Sequence, residues 1–323
     1  MKIGILGAGH IASTMAKTLN AMEGGVKCHA VASRDLERAK NFASEHRIEK
    51  AYGSYEELAC DPDVEIIYIA TPHSHHAEHA KLCIEHGKAV LCEKTFAKNA
   101  SEAKSVLNFA KEKNVLVTEA IWTRYMPSRK LIDEIIASGI IGKITSLTAN
   151  LHYNISHHER LVNPALAGGA LLDVGVYTLN FALMHFGAEI ERIDSSAALT
   201  KTGVDGTNSI TLYYKDGRAA FLNSGMFSRS DRKGIFFGER GYIVVENINN
   251  PNAICVFDER DNLIKKIEVP AQISGYEYEL EETIVALKAK KLECDSMPHS
   301  ETIRVMEMMD FLRKSWGVKF PGE

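Results

Sequence analysis

Three side chains of this 323-residue chain stand in settings suited to moving a proton. Lys94 lies in Val90-Leu91-Cys92-Glu93-Lys94-Thr95, where an apolar strand ends on two charged residues. Ligands of parallel α/β sheets bind outside the carboxyl ends of strands, so a lysine there, with Glu93 beside it, faces a crevice. Asp173 and Tyr177 lie four residues apart in Gly168-Gly169-Ala170-Leu171-Leu172-Asp173-Val174-Gly175-Val176-Tyr177. A glycine turn there leads into a helix, and the spacing puts both side chains on one face. Taken singly, each has an ordinary reading: a solvated lysine, a capping aspartate, a half-buried tyrosine. Taken together, ammonium, carboxylate and phenol can transfer protons beside a hydride acceptor.

A site for such an acceptor opens the chain. The apolar run Ile3-Gly4-Ile5-Leu6 passes directly into Gly7-Ala8-Gly9-His10-Ile11-Ala12, and Ile11, Met15, Leu19 and Met22 then fall on one helical face. Gly7 suits a tight turn, Gly9 lets backbone approach a pyrophosphate, and Ala12 lets helix pack close to strand. The helix start, at His10 and Ile11, offers N–H groups and positive dipole to phosphates. At the tip of the second strand, Val26 to Ser33, the acidic reader of a ribose 2′-hydroxyl is missing. Ser33 and Arg34 stand there instead. Arg34 and Arg38, one helical turn apart, can clamp a 2′-phosphate, which favours NADP over NAD. Asp35 precedes Leu36, Ala39 and Phe42 as a helix N-cap would.

Thr71, Pro72, His73 and His76 follow the strand Val64 to Ala70 and are expected to line or cap a loop over the nicotinamide side of the cofactor. The histidines of Pro72-His73-Ser74-His75-His76, with His79, invite a metal reading. No Cys or His pair elsewhere completes a zinc set at recognisable spacing, His157-His158-Glu159 being only a loose candidate, so no metal site is expected. In Glu119-Ala120-Ile121-Trp122-Thr123-Arg124-Tyr125, Trp122 and Arg124 can furnish an apolar wall and a polar contact for substrate, or belong to an interface core.

The elements that must position these groups fall into two textures. Strands at Lys2 to Gly7, Val26 to Ser33, Val64 to Ala70, Lys88 to Glu93 and Val115 to Ala120 alternate with amphipathic helices, which predicts a doubly wound parallel sheet. Gly87 closes one helix and Asn99 or Ser101 caps the next. Beyond Trp122 come alternating segments, Ile144 to Tyr153, Ser209 to Tyr214, Ala219 to Met226 and Ile254 to Phe257, with turns such as Lys215-Asp216-Gly217. These predict a mostly antiparallel open sheet in an α+β domain. Helices are expected from Leu172 to about Phe186, Tyr276 to Lys290 and Ser300 to Lys314. The expected division is a dinucleotide-binding domain over 1–120 and a substrate-binding and dimerisation domain over 121–323, sharing an interface with a cleft, with the last helices placed to pack back on the first domain.

Composition is ordinary for a globular chain, 45% hydrophobic and 25% charged. A formal charge of −4 makes nucleic acid or an acidic membrane an unexpected partner. The six cysteines are scattered without a CxxC pair and read as reduced core residues. The apolar start reads as a first strand rather than a signal peptide, and no apolar run is expected to span a bilayer. A cytoplasmic protein is the simplest expectation.

The combination GAGHIA, TPHSHHAEHA, EKT and GGALLDVGVYTLN resembles the Gfo/Idh/MocA oxidoreductases across essentially the whole chain. TEAIWTRYMP, with Tyr177, is most similar to the branch of dimeric dihydrodiol dehydrogenases and NADP-dependent D-xylose dehydrogenases. The resemblance implies a Rossmann domain followed by an α/β domain whose open sheet binds substrate on one side and commonly mediates a homodimer. It implies catalytic roles for Lys94 and Tyr177, with Asp173 positioning the reacting hydroxyl, and it matches Arg34 and Arg38 to the arginines near the 2′-phosphate. Thr95 replaces the usual proline, which removes the residue favouring a cis or rigid turn after Lys94. Tyr177 stands where many sugar-oxidising members have histidine. The function implied is reversible hydride transfer between NADP and a hydroxyl-bearing or carbonyl carbon of a sugar or cyclic diol, with Tyr177 as general acid/base beside cationic Lys94, or Lys94 itself as base. Two alternatives stay open: a redox-assisted glycosidase or lyase, and a non-catalytic dinucleotide sensor.

Overall fold

A computed structural model describes residues 1–323, which fall into two compact units: Met1–Tyr125 with Gln272–Glu307, and Met126–Ala271 with Met308–Glu323. The first unit alternates strand and helix: β1 (Lys2–Leu6), α1 (His10–Ala21), β2 (Lys27–Ala32), α2 (Leu36–His46), β3 (Lys50–Tyr52), α3 (Tyr55–Cys60), β4 (Ile66–Ile69), α4 (His76–Glu85), β5 (Ala89–Glu93), α5 (Ala100–Lys113) and β6 (Val117–Ala120). The strands form one parallel sheet in the order β3-β2-β1-β4-β5-β6. β4, β5 and β6 are buried along their whole length, as strands covered on both faces must be. The strand order reverses between β1 and β4, so the Gly7 turn and the loop after β4 open at the switch point, where such sheets bind ligands.

The second unit holds α6 (Pro127–Ala137), β7 (Ile144–His152), α7 (Glu159–Val162), a π-helical segment Leu171–Gly175 running into α8 (Val176–Phe186), and β8 (Ile190–Leu199) to β14. The remaining strands are β9 (Asp205–Tyr214), β10 (Ala219–Gly225), β11 (Gly234–Gly238), β12 (Gly241–Val245), β13 (Ala253–Asp258) and β14 (Leu263–Glu268). Eight strands order as β14-β13-β12-β11-β7-β10-β9-β8, antiparallel except where β10 runs parallel to β7. Register divides the faces. Leu147, Phe236 and Ile243 point inward, Phe236 against Phe181 of α8 with ring centroids 5.3 Å apart. Thr148 aligns with Phe221 and Ile235, and Ser146 with Phe237, on the opposite face, where both phenylalanines are exposed. α9 (Glu277–Lys288) returns to the first unit. α10 (His299–Trp316) belongs to that unit as far as Glu307 and to the second from Met308.

Several expectations are corrected. The three-residue β3 is held by parallel pairing with β2 and carries no alternation of its own. β8, β11, β12 and β14 likewise lie outside the expected strands. The segment Pro164–Phe186 is long and apolar enough by length and composition to cross a membrane, but 94% of its window is buried inside the protein, as for a helix covering a sheet. Five cysteines are buried, but Cys60 is exposed. Asp35 does cap α2, accepting from the N–H groups of Glu37 and Arg38, and Asn99 caps α5.

Candidate active site

The turn after β1 is built from two glycines with separate tasks. Gly7 sits at φ 111°, and a β-carbon there would lie 2.9 Å from the carbonyl oxygen of Ala70. Gly9 is extended at the N-cap of α1, and a β-carbon there would meet nothing within 4 Å. No side chain caps α1, and no acidic residue stands in its first turn. The N–H groups from His10 onward and the helix dipole therefore favour an anion approaching over Gly9. This chemistry and this space fit a dinucleotide pyrophosphate.

Arg38 donates from Nε and Nη2 to the Ala8 carbonyl at 3.2 and 2.8 Å, which brings its guanidinium to the glycine turn. Arg34 precedes α2, so the two arginines are not successive turns of one helix. The extended N-cap Asp35 lies between them, and both arginines act electrostatically on the Tyr55 hydroxyl. Buried Ser33 accepts from the Asp35 N–H at 3.3 Å and fixes the same turn.

The loop after β4 departs from expectation in one respect. Pro72 is exposed and Thr71 half-buried, but His76 is 0% exposed. Its Nε2 faces the Thr71 carbonyl at 2.7 Å and its Nδ1 the Thr95 carbonyl at 2.8 Å, so it ties the loop after β4 to the loop after β5. Burial outweighs those carbonyls and holds the imidazole down at about 4. A neutral ring donates to one carbonyl at a time. His79, bonded to Thr71 Oγ1 at 2.9 Å, is lowered by burial to about 4 as well. His73 is buried, its ring edge-on to His76 at 5.8 Å.

At the end of β5, Glu93 accepts from the Tyr68 hydroxyl and, at 3.1 Å, from the Lys94 N–H. The Lys94–Thr95 peptide is cis, so the turn persists with threonine in place of proline. Lys94 itself is half-buried. Trp122 stacks on Tyr276 with ring centroids 4.2 Å apart. Arg124 is 3% exposed and paired with Glu301 at 2.9 Å, an internal partner that the sequence does not announce. Beside it, burial raises the Glu119 carboxyl to about 7, against the lowering effects of Thr302, the Phe96 N–H and Arg124.

In the second unit, Asp173 lies in the π-helical segment and Tyr177 in the first turn of α8, both buried. Wider helical turns of this kind recur at functional sites. Arg160 pairs with Asp173 at 2.8 Å. The segment starts from Gly169 at φ 122°, where a β-carbon would lie 2.3 Å from Asp205 Oδ1. Asp205 Oδ2 accepts from the Leu171 N–H at 2.7 Å and from Asn208 at 2.8 Å, and Ser224 donates to Asn208 at 2.9 Å. Burial raises the Asp205 carboxyl. Asp205, Asn208, Ser224 and Arg160 make contacts with or next to this segment that a reading of the sequence misses; Asp205-Gly206 shows only as a turn signal.

Comparison with known proteins places this geometry. Residues 1–121 match the Gfo/Idh/MocA oxidoreductase family described by its NAD-binding Rossmann fold, and residues 130–244 match the C-terminal domain of the same family. The trans-1,2-dihydrobenzene-1,2-diol dehydrogenase of Mus musculus is 34% identical over 99% of this chain and 98% of its own length. The Homo sapiens enzyme of the same name is also 34% identical, with the same coverage. A 3-ketoreductase from Actinomadura kijaniata, crystallised with NADP and TDP-benzene, shares the fold at a TM-score of 0.88 and 23% identity over 97% of each chain. An aldose-aldose oxidoreductase from Caulobacter crescentus gives a TM-score of 0.88 at 18% identity, over 98% of this chain and 97% of its own. With both domains matched and full-length relatives at this identity, the chain belongs to the Gfo/Idh/MocA oxidoreductase family.

Proposed function

We propose that this protein is an NADP-dependent dehydrogenase that oxidises a secondary hydroxyl of a sugar or cyclic diol, or reduces the corresponding carbonyl. The observation that carries the reading is the uncapped start of α1 at Gly9 with Arg38 held against the Ala8 carbonyl, an anion cradle with a guanidinium at its edge. The names of the full-length relatives, dihydrodiol dehydrogenases, support the substrate class. The cofactor supplies a hydride acceptor at its nicotinamide ring. The protein's share is positioning and proton handling. Tyr177 removes the hydroxyl proton while the carbon gives up hydride, so that the alcohol leaves as a carbonyl compound and one proton is released. Lys94 has its backbone N–H anchored on Glu93, and the role that the family resemblance gives its positive charge is to favour the phenolate. Asp173, braced by Arg160, orients the reacting hydroxyl. Arg34 and Arg38 hold the 2′-phosphate, Thr71, Pro72 and His73 line the nicotinamide side, and Trp122 forms an apolar wall for substrate.

A homodimer in the cytoplasm completes the proposal. Phe221 and Phe237, exposed in register on the open face of the second unit's sheet, support a second copy as the occupant of that face. A panel of aldoses, inositols and dihydrodiols assayed with NADP⁺ and NAD⁺ tests the activity. Stoichiometric NADPH formation with one class is expected; turnover with NAD⁺ alone would remove the role given to the arginines.

A further inference from the structure

The core of the first unit holds a carboxyl group that the proposed reaction does not use. Glu279, on α9, is 0% exposed, and neither of its oxygens has a hydrogen-bond partner. Its helix packs against β5, and its electrostatic neighbour is Glu93, the residue that anchors Lys94. The two acids are provided for unequally. Glu93 accepts from Tyr68 on one oxygen and from the Lys94 N–H on the other, as an anion does. No N–H or O–H is directed at Glu279, so as an anion it would be a bare charge beside another carboxylate in a dry interior. Tyr68 on β4, Cys92 on β5, Glu119 on β6 and Tyr125 each feel the charge of one or other of the pair, and cationic Lys94 follows Glu93 directly in the chain. Arg124 acts on Glu119 and is paired with Glu301, and the charge that bears on Glu279 itself is that of Glu93.

We propose that Glu279 is a positioning residue for Lys94: its carboxyl carries the one proton of a buried Glu93–Glu279 pair and so holds Glu93 as a single fixed anion against the Lys94 backbone. Two adjacent buried carboxyls cannot both ionise, and the partner with donors takes the charge. Burial and the Glu93 charge both act to keep the Glu279 proton in place, and the same two influences hold the Tyr68 phenol well above its ordinary range.

The inference rests on the dehydrogenase reading for its catalytic consequence but not for its protonation state, so the test has two arms. In the first, thermal unfolding of the full-length protein is followed from pH 5 to pH 8 for wild type and Glu279→Gln. An unfolded glutamate loses its proton near pH 4.3 while folded Glu279 keeps it, so wild type loses stability relative to Gln as pH rises. The Tm gap between them is expected to widen by about 5 °C or more in favour of Gln. Because Glu119 is present in both proteins, its own titration largely cancels in the comparison. Parallel Tm profiles would show an ordinary ionised glutamate and overturn the proposal. In the second arm, Glu279→Gln keeps kcat with NADP⁺ within about twofold at pH 7, whereas Glu279→Ala lowers kcat about tenfold with KM for NADP⁺ unchanged. If Ala lowers Tm but leaves kcat intact, the residue is structural only and the positioning role falls. Absence of turnover in wild type would instead sink the dehydrogenase reading and leave the first arm to decide the protonation state.

Discussion

Two glycine turns in this chain look alike in sequence and do opposite things. Gly7-Ala8-Gly9 and Gly168-Gly169 each lead into a helix. At the first, the helix start has no capping side chain, and the place a β-carbon of Gly9 would take is open. At the second, the protein's own atoms crowd both glycines: a β-carbon on Gly168 would lie 2.6 Å from the Leu161 carbonyl oxygen, and one on Gly169 2.3 Å from Asp205 Oδ1. Asp205 Oδ2 also accepts from the Leu171 N–H, one of the orphan donors of that helix start. The same electrostatic need, an anion at the positive end of a helix, is left for a ligand at one turn and met internally at the other. A glycine signature before a helix therefore marks an anion-binding site only where no internal acceptor answers it.

The contrast is broken most forcefully at Gly169. Gly169→Ala combines a φ of 122° with a close approach to a buried carboxylate, and a loss of about 3 kcal/mol or more is expected in denaturant unfolding. A loss below 1 kcal/mol would mean that the Asp205 cap can move and the second turn is not tightly filled. Next in size, Asp205→Ala strips the acceptor from the Leu171 N–H and from Asn208, and should cost about 2–3 kcal/mol. Asp205→Asn keeps an acceptor in place and adds a sign to the test. Burial raises the Asp205 carboxyl, so the folded protein retains a proton that the unfolded chain has released. Wild type then loses stability relative to Asn as pH climbs from the ordinary aspartate range through the raised value, and urea midpoints that move together across that window would contradict the assignment.

What could be read from the residues divides along the same line. The β1 turn, the Asp35 cap and the Asn99 cap are local: each is decided within a few positions, so spacing suffices. β3 is not local, because its three residues are extended only through pairing with β2. The partner of Leu171 lies 34 residues onward, and nothing in Asp205-Gly206 beyond a turn signal connects it to the helix it serves. His76 read as a cofactor-lining residue from its place after β4, yet its ring is spent on two backbone carbonyls inside the unit, one of them in the loop after β5. Arg124 read as a polar contact, and its pairing with Glu301 arises because residues 272–307 return to the first unit. Side chains whose partners are sequence neighbours were legible; those whose partners arrive by tertiary packing were not.

At the first turn the expected effects are smaller and fall on binding instead of folding. Gly9→Ala places a methyl group where the backbone meets only space, at φ −102°, so its cost to stability should stay within about 1 kcal/mol. The same methyl group stands in the path of a pyrophosphate, and NADPH affinity measured by fluorescence titration should fall about tenfold or more. An unchanged affinity with an unchanged Tm would show that the open turn is not the cradle.

The smallest expected effect separates the two dinucleotides. Arg34→Ala removes a guanidinium that bonds no glycine-turn atom, whereas Arg38 spends two donors on the Ala8 carbonyl and supports the turn itself. Arg34→Ala should therefore weaken NADP⁺ about tenfold, the worth of one charge-assisted contact, while leaving NAD⁺ within twofold. Arg38→Ala should weaken both dinucleotides, because the Ala8 carbonyl loses its partner along with the phosphate. Equal losses for NADP⁺ and NAD⁺ in the Arg34 variant would mean that its charge acts on the whole dinucleotide and that the 2′-phosphate is read elsewhere.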